Sequence, residues 1–353
     1  MSLSLPATQN TASAAASATI GTHDGTFHCD EAMACWLLKQ TVEFESATII
    51  RTRDLNLLNQ LNIVVDVGGV YEPAKYRFDH HQRGFLETLD SHHTMKLSSA
   101  GLIYKHFGRE VIQTLIHRRN PSEEVKQSDL EIIYDRVYKI FIEALDGIDN
   151  GITQFPCDVQ PVYQICTDLS SRIAQLNPWW NENLTVQETN QRFLDSVELT
   201  GKEFTAAVYS VAYSWLPARQ VVETALKQRF EVHASGQIVF LQMYTVWKSH
   251  LSKLEAEIKG DLPILYVLYK DTSSGKYRIQ AVAVDGNAFE SRKALPEPWR
   301  GLKDAELAKL TGVEDAIFVH ASGFIGGAHT KEGVCKLAEL ALQFDAPVKR
   351  QKL

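Results

Sequence analysis

Ala18-Thr19-Ile20-Gly21-Thr22-His23-Asp24-Gly25-Thr26-Phe27-His28-Cys29-Asp30-Glu31 is the stretch on which the fold turns. A short apolar lead runs into glycines, and a helix follows whose acidic N-terminal end is Asp30-Glu31. Ala32, Met33, Cys35, Trp36, Leu37 and Leu38 supply its buried face. Downstream, 47–50 and 62–67 are short runs rich in β-branched residues. The second is mostly apolar without alternation, which predicts a central parallel strand covered on both faces. Strand, helix, strand, helix, strand within the first 70 residues is an α/β pattern.

Beyond this, 98–145 and 170–230 carry helical periodicity, with Trp179-Trp180 and Trp215 expected at buried contacts. From Glu231 onward strand-like runs dominate, at 238–241, 264–269, 277–284 and 316–320, with a turn at 271–275. Gly323-Phe324-Ile325-Gly326-Gly327-Ala328-His329 reads as a glycine-rich loop opening a last helix through Phe344. The expected organisation is a disordered tail over 1–19, an α/β catalytic domain over 20–175 with a mainly parallel sheet flanked by helices, and a helical connector over 176–230. A smaller α+β substrate-binding domain follows over 231–346, then a basic tail over 347–353.

The 353 residues hold 36 Lys+Arg against 43 Asp+Glu, a net charge of −7. That excludes a broadly basic surface, so nucleic acid would have to be met by a local patch or through metal. Hydrophobic residues at 44% and charged residues at 22% exclude a disordered or collagen-like chain. No apolar run approaches the ~20 residues that span a bilayer, so a soluble chain is expected, without membrane contact. Five scattered cysteines (Cys29, Cys35, Cys157, Cys166 and Cys335) offer neither a disulfide framework nor a zinc ribbon and fit a reducing compartment.

Chemistry is concentrated in four segments. His23-x-x-x-x-His28-x-Asp30 falls in a strand-to-helix loop at the carboxyl edge of a sheet, where ligands bind in open α/β folds. Two histidines and an aspartate within eight residues point to metal; satisfied polar side chains are the plainer alternative. Asp66 ends a buried strand before Gly68-Gly69, as a metal ligand or as a capping residue. Phe78-Asp79-His80-His81-Gln82-Arg83 presents adjacent histidines, which on an extended backbone point oppositely, one to metal and the other to substrate. Asp146-Gly147-Ile148-Asp149-Asn150-Gly151 closes a helix and either donates a further carboxylate or forms a C-cap.

Mixed imidazole and carboxylate donors suit Mn2+, with Mg2+, Co2+ or Zn2+ as alternatives. More donors than one ion needs imply two ions, with Asp66 as a natural bridge. Such a pair activates water and clamps phosphoryl oxygens in an in-line displacement.

These residues, taken with Leu97-Ser98-Ser99-Ala100-Gly101-Leu102-Ile103-Tyr104 and His320-Ala321-Ser322-Gly323-Phe324-Ile325-Gly326-Gly327, resemble the melanocyte-proliferating-gene family. That family is similar to a branch of the Asp-His-His (DHH) phosphoesterase superfamily. The resemblance implies His23, His28, Asp30, Asp66, His80 and Asp149 as metal ligands, with Asp146 as the alternative to Asp149. It implies that Asp66 bridges, that His81 contacts phosphate or assists the leaving group, and that Asp79 orients its neighbours. One departure stands out: the superfamily's first motif has Asp where this chain has His28, so the site loses a negative charge. Gly326, Gly327, His320 and His329 resemble the substrate-gripping loop of the second domain. Lys331, Arg292 and Arg300 are further candidate phosphate partners, with ordinary surface charges as the alternative for the two arginines.

The resemblance implies a metal-dependent 3'-5' exonuclease on single-stranded RNA, with DNA as the variant, placed in nucleus or mitochondrion with cytoplasm as a third location. Hydrolysis of a small phosphorylated molecule (pyrophosphate, a dinucleotide or a cyclic dinucleotide) uses the same chemistry. A metal-stabilised binding protein is the non-enzymatic alternative, and it ranks last because six ligand-type residues exceed what a structural ion needs.

Overall fold

The computed structural model describes residues 17–155, 162–258 and 262–344. Most of the expected N-terminal tail, Cys157 and the basic tail lie outside them. The chain divides into two compact units between Ala212 and Tyr213.

In the first unit, β1 (Thr19–Thr22), β2 (Thr48–Arg51), β3 (Ile63–Val65), β4 (Tyr71–Glu72) and β5 (Arg77–Phe78) form a sheet ordered β2-β1-β3-β5-β4. All neighbours are parallel except β4 and β5. β3 is central, and Ile63, Val64 and Val65 are all buried, which is why its sequence does not alternate. Helices α1 (Cys29–Leu38), α2 (Leu55–Leu58), α3 (Ser99–Arg119), α4 (Gln127–Val137), α5 (Glu143–Asp149), α6 (Leu169–Ala174) and α7 (Val186–Ser210) complete the unit. Long α3 and α7 both pack on α1. Gly201 of α7 makes room for Trp36, whose indole would sit 1.9 Å from a Cβ there.

Trp179 and Trp180, expected to be buried, are instead 66% and 96% exposed. They follow Pro178 in the irregular segment between α6 and α7, where no helical face exists to bury them. Trp215 is half-buried, its ring tilted against His250 with centroids 4.6 Å apart.

The second unit contains α8 (Leu216–Lys227), α9 (Arg229–Val232), α10 (Lys248–Ile258), α11 (Asp304–Thr311) and α12 (Lys331–Gln343). Its strands are β6 (Ile238–Leu241), β7 (Tyr266–Lys270), β8 (Tyr277–Ala281), β9 (Ala283–Val284), β10 (Asn287–Ser291), β11 (Ala316–Val319) and β12 (Ile325–Ala328). Five of them form a sheet ordered β11-β12-β8-β7-β6, antiparallel apart from β6 and β7. Strand alternation divides the core: Tyr266 and Leu268 pack with Leu307, Val334 and Leu337, while Val267 and Tyr269 pack with Val222, Leu251 and Leu254. Strands β9 and β10 pair separately, which breaks the expected run 277–284 in two. Among the described residues no helix is long and apolar enough to cross a membrane.

Candidate metal centre

Three adjacent parallel strands deliver the chemistry to one sheet edge. β1 ends before His23, β3 before Asp66, and β5 before Asp79-His80-His81. Asp66 adopts φ 56, a left-handed conformation uncommon for a residue with a side chain, and Gly68 and Gly69 continue the turn at φ 98 and 66. The loop from His23 to His28 is held from outside. Arg51 donates to the His23 and Gly25 carbonyls at 3.2 and 2.6 Å. The Asn177 side chain pairs with both backbone groups of Phe27, accepting at 2.9 Å and donating at 2.8 Å.

The donors fall into three overlapping groups, each with ligand atoms within 4.8 Å of one another: His23, His28, Glu31 and Asp66; Asp66, His80 and His81; Asp30, His80 and Asp149. His23 Nε2 lies 3.1 Å from Glu31 Oε1 and 3.4 Å from Asp66 Oδ2. His80 Nε2 lies 3.2 Å from Asp149, 3.3 Å from Asp66 and 3.9 Å from Asp30. His23 Nδ1, Asp30 Oδ1 and His80 Nδ1 are buried without a hydrogen-bond partner. Buried polar atoms rarely stay orphaned, and these surround the same carboxylates, so the donor set fits cations. Among the described residues no cysteine joins these groups, and burial pushes the Cys29 thiol up to about 12.

The electrostatics report an excess of buried negative charge. Burial alone would lower His23, yet hydrogen bonds to Asp66 and Glu31, and their charges, lift it to about 9. His80 moves the same way, its burial outweighed by Asp66 and Asp149. Burial would raise Asp66, but His23 and His80 hold it below the usual carboxylate range. Asp30 is pushed well up by burial and then by Asp66, Asp149 and Glu31. The buried carboxylates that shift these groups are the same negative charge that divalent cations would neutralise.

His80 and His81 do not diverge as extended neighbours would. Both approach Asp66 Oδ1, at 3.3 and 3.4 Å, and their ring centroids are 4.1 Å apart. The cause is that 79–81 is not strand: Asp79 Oδ1 accepts the His81 N–H at 2.9 Å, an Asx turn that bends the chain. His80 is buried, whereas the His81 side chain is 63% exposed. Asp146 and Asp149 part company as well. Asp149 faces His80, while Asp146 is fully buried and accepts from the Ser98 N–H and hydroxyl and from Tyr138. Gly151 takes the left-handed C-cap position at φ 66, so cap and carboxylate coexist in this segment.

Two residues near the centre carried no role in the sequence reading. Ser99, at the start of α3, donates its hydroxyl to Asp66 at 2.9 Å and its N–H to Asp30 at 3.3 Å. Its signal was Ser98-Ser99 before an apolar run, an N-cap signature. Glu31 is fully buried and accepts the His28 N–H at 2.8 and 3.0 Å. It reads as an ordinary first-turn acid.

A cleft of about 1030 Å³ opens beside the centre, lined by His28, Asp30, His81 and Asp149 and floored by Met95, Leu145 and Ile148. A smaller pocket of about 350 Å³ reaches His23, Asp66, Arg53 and Gly68-Gly69.

The C-terminal candidates do not form the expected loop. Gly326 and Gly327 lie inside β12, between β11 and β8. Their lack of a side chain serves packing, since a Cβ would meet the Phe318 carbonyl and the Tyr277 carbonyl, each at 2.9 Å. The N-terminus of α12 is capped by Thr330, whose N–H and hydroxyl donate to Asp315, so the chain's own carboxylate sits where an anion was expected. His320 and His329 flank opposite ends of the β11–β12 hairpin rather than one loop, with Arg300 beside Gly323 at the first end and Lys331 over Phe240 near the second. Arg292 is buried, its two terminal nitrogens taken by Glu255 at 2.8 and 2.9 Å.

Residues 19–342 match the MYG1 exonuclease family model, described as Uncharacterised protein family (UPF0160). The MYG1 exonuclease of Mus musculus is 47% identical over 336 residues, 93% of this chain and 86% of that one. The Homo sapiens MYG1 exonuclease is 46% identical over 329 residues, 92% and 85% of the two chains. The MYG1 protein of Dictyostelium discoideum is 44% identical over 320 residues, 91% and 95%. Among solved structures, RecJ from Thermus thermophilus in complex with Mn2+ aligns with a TM-score of 0.25 and 12% identity, over 94% of this chain and 53% of that one. That likeness is too slight to carry an argument. The family match spans every segment that feeds the metal centre, and the chain belongs to the MYG1 exonuclease family.

Proposed function

We propose that this chain is a metal-dependent phosphodiesterase that removes nucleotides from the 3' ends of single-stranded RNA. The observation that carries the reading is the overlap of the ligand groups at Asp66 and His80, which spaces donors for two ions around a shared carboxylate. His23, His28 and Asp66 would hold one ion; Asp30, Asp66, His80 and Asp149 the other, with Mn2+ favoured by the donor types. When bound, such ions supply an activated water and neutralise charge on the phosphoryl oxygens.

The chain's own groups do the rest. Asp79 Oδ1 accepts from His81 Nδ1–H at 2.9 Å, so a second proton, taken up at Nε2 on the exposed ring, would pass to the departing oxygen and leave the ring neutral. Ser99 fixes Asp66 from behind. Arg53, exposed and 3.6 Å from Asp24, lends positive charge to the smaller pocket where a phosphate would enter. The names of the mouse and human relatives support exonuclease activity. The second unit is proposed to bind substrate, and placement in nucleus or mitochondrion rests on the family resemblance.

One observation favours a second reading, hydrolysis of a small phosphorylated molecule. Among the described residues, the large cleft is lined by no Phe, Tyr or Trp, and its one lysine, Lys139, is paired with Glu143 at 2.7 Å. Strand-tracking grooves are usually basic and aromatic.

The test is a turnover assay with Mn2+ on RNA and DNA oligonucleotides labelled at either end, alongside pyrophosphate and dinucleotides. The expected result is progressive shortening of 5'-labelled RNA and immediate mononucleotide release from 3'-labelled RNA. Turnover of small esters alone would select the second reading. Activity surviving Asp66→Ala combined with His80→Ala would overturn the site.

A further inference from the structure

We infer that Glu31 is a ligand of the ion held by His23 and His28, and that its carboxylate supplies the charge which His28 does not; this rests on the metal-centre reading above. The two ligand groups are unequal without it. The group around His80 owns two carboxylates, Asp30 and Asp149, and shares Asp66. The group around His23 has two imidazoles and only its share of Asp66. A divalent ion there would be poorly neutralised in a buried setting, where uncompensated charge is costly. Glu31 repairs the imbalance: with it the site holds four carboxylates, Asp30, Asp66, Asp149 and Glu31, to meet two divalent ions.

The geometry is consistent with ligation. Glu31 is fully buried, and its Oε1 lies 3.1 Å from the His23 nitrogen that is itself 3.4 Å from Asp66. Both oxygens also touch the His28 N–H, so one carboxylate would hold the ion and fix the backbone of a neighbouring donor. Helical geometry makes this available: Glu31 sits in the first turn of α1, one residue after Asp30, so the two carboxylates leave the helix in different directions and serve different ions.

The experiment is calorimetric titration of Mn2+ into the chelator-stripped full chain, with electron paramagnetic resonance of the bound ions. Wild type should take up two ions. Glu31→Gln keeps an oxygen acceptor for the His28 N–H but removes the charge; it should weaken one ion at least tenfold and leave the other within twofold. Asp149→Asn should weaken the other ion, and the double variant both. Glu31→Asp, which keeps the charge on a shorter arm, should bind more tightly than Glu31→Gln. Circular dichroism establishes that each variant is folded. Two ions at wild-type affinity in Glu31→Gln would overturn the inference, as would equal weakening of both or loss of fold with Asp no better than Gln. A wild-type chain that binds no ion would instead overturn the metal-centre reading itself.

Discussion

Asp79 and His81 are joined through a single oxygen: Asp79 Oδ1 accepts the His81 backbone N–H and lies 2.9 Å from His81 Nδ1. The second oxygen accepts the Gly69 N–H at 2.6 Å. One buried carboxylate therefore sets both the orientation of an exposed imidazole and the turn that follows Asp66. Asp79→Ala should lower kcat on any substrate the enzyme turns over by about 100-fold, the lower end of what a positioned general acid contributes, because His81 loses its orientation. Steady-state kinetics with Mn2+ checks this; an unchanged kcat would remove Asp79 from the machinery.

Asp146 gives a pH dependence that belongs to folding rather than catalysis. Burial lifts its carboxyl to about 7, although Ser98 and Tyr138 donate to it. A carboxyl with a raised folded pKa binds its proton more tightly in the native state than in the unfolded chain. Its contribution is therefore complete below the ordinary pKa of about 3.9 and is lost as pH rises through 7. Urea unfolding of the metal-free chain should show that Asp146→Asn flattens this slope between pH 4 and 7. Parallel profiles for variant and wild type would refute it.

The Asn177 side chain closes a ring with both backbone groups of buried Phe27, the residue before His28. Asn177→Ala leaves a buried donor and acceptor unmet, at a cost of about 1–3 kcal/mol. Metal affinity should fall as well, because the loop that carries His23 and His28 loses its outer clamp. Thermal melts and metal titration on the same sample measure the two effects.

Gly326→Ala distinguishes a strand glycine from a phosphate-gripping one. A Cβ there would meet the Phe318 carbonyl at 2.9 Å and Leu295 at 3.2 Å. The expected result is a loss of stability of about 1–3 kcal/mol with KM little changed for the folded fraction. A raised KM at wild-type stability would restore the loop reading.

The exposed pair Trp179-Trp180 separates the two substrate classes. The segment that bears it is tied to the metal loop by Asn177, only two residues before Trp179. If a strand stacks on these rings, replacing both with Ala should weaken oligonucleotide binding by about 1–3 kcal/mol per base and leave small-ester turnover intact. Fluorescence anisotropy with labelled RNA reads the first effect. Unchanged affinity would exclude the pair from the strand's path.

Much of the first unit was legible because its signals are local. β3 reads as buried from three consecutive apolar residues, and α1 from the run after Asp30. The polar segments at the ends of β1, β3 and β5 are adjacent to those signals, so their convergence on one edge follows from parallel pairing. The glycine-rich stretch misled for a physical reason. Glycine is the mark of a loop, but in β12 it is required because two flanking strands press their carbonyls against it.

By itself, then, the sequence determined which segments bring imidazoles and carboxylates to the sheet edge, since strand order and residue type suffice for that. The tertiary structure alone decided which carboxylates meet which histidines. Asp149 faces His80 while Asp146, three residues away, is spent on the N-terminus of α3. Glu31 joins His23, and both His80 and His81 turn toward Asp66. These outcomes depend on side-chain direction and on partners such as Ser99 and Asn177, distant in the chain, whose positions only packing supplies.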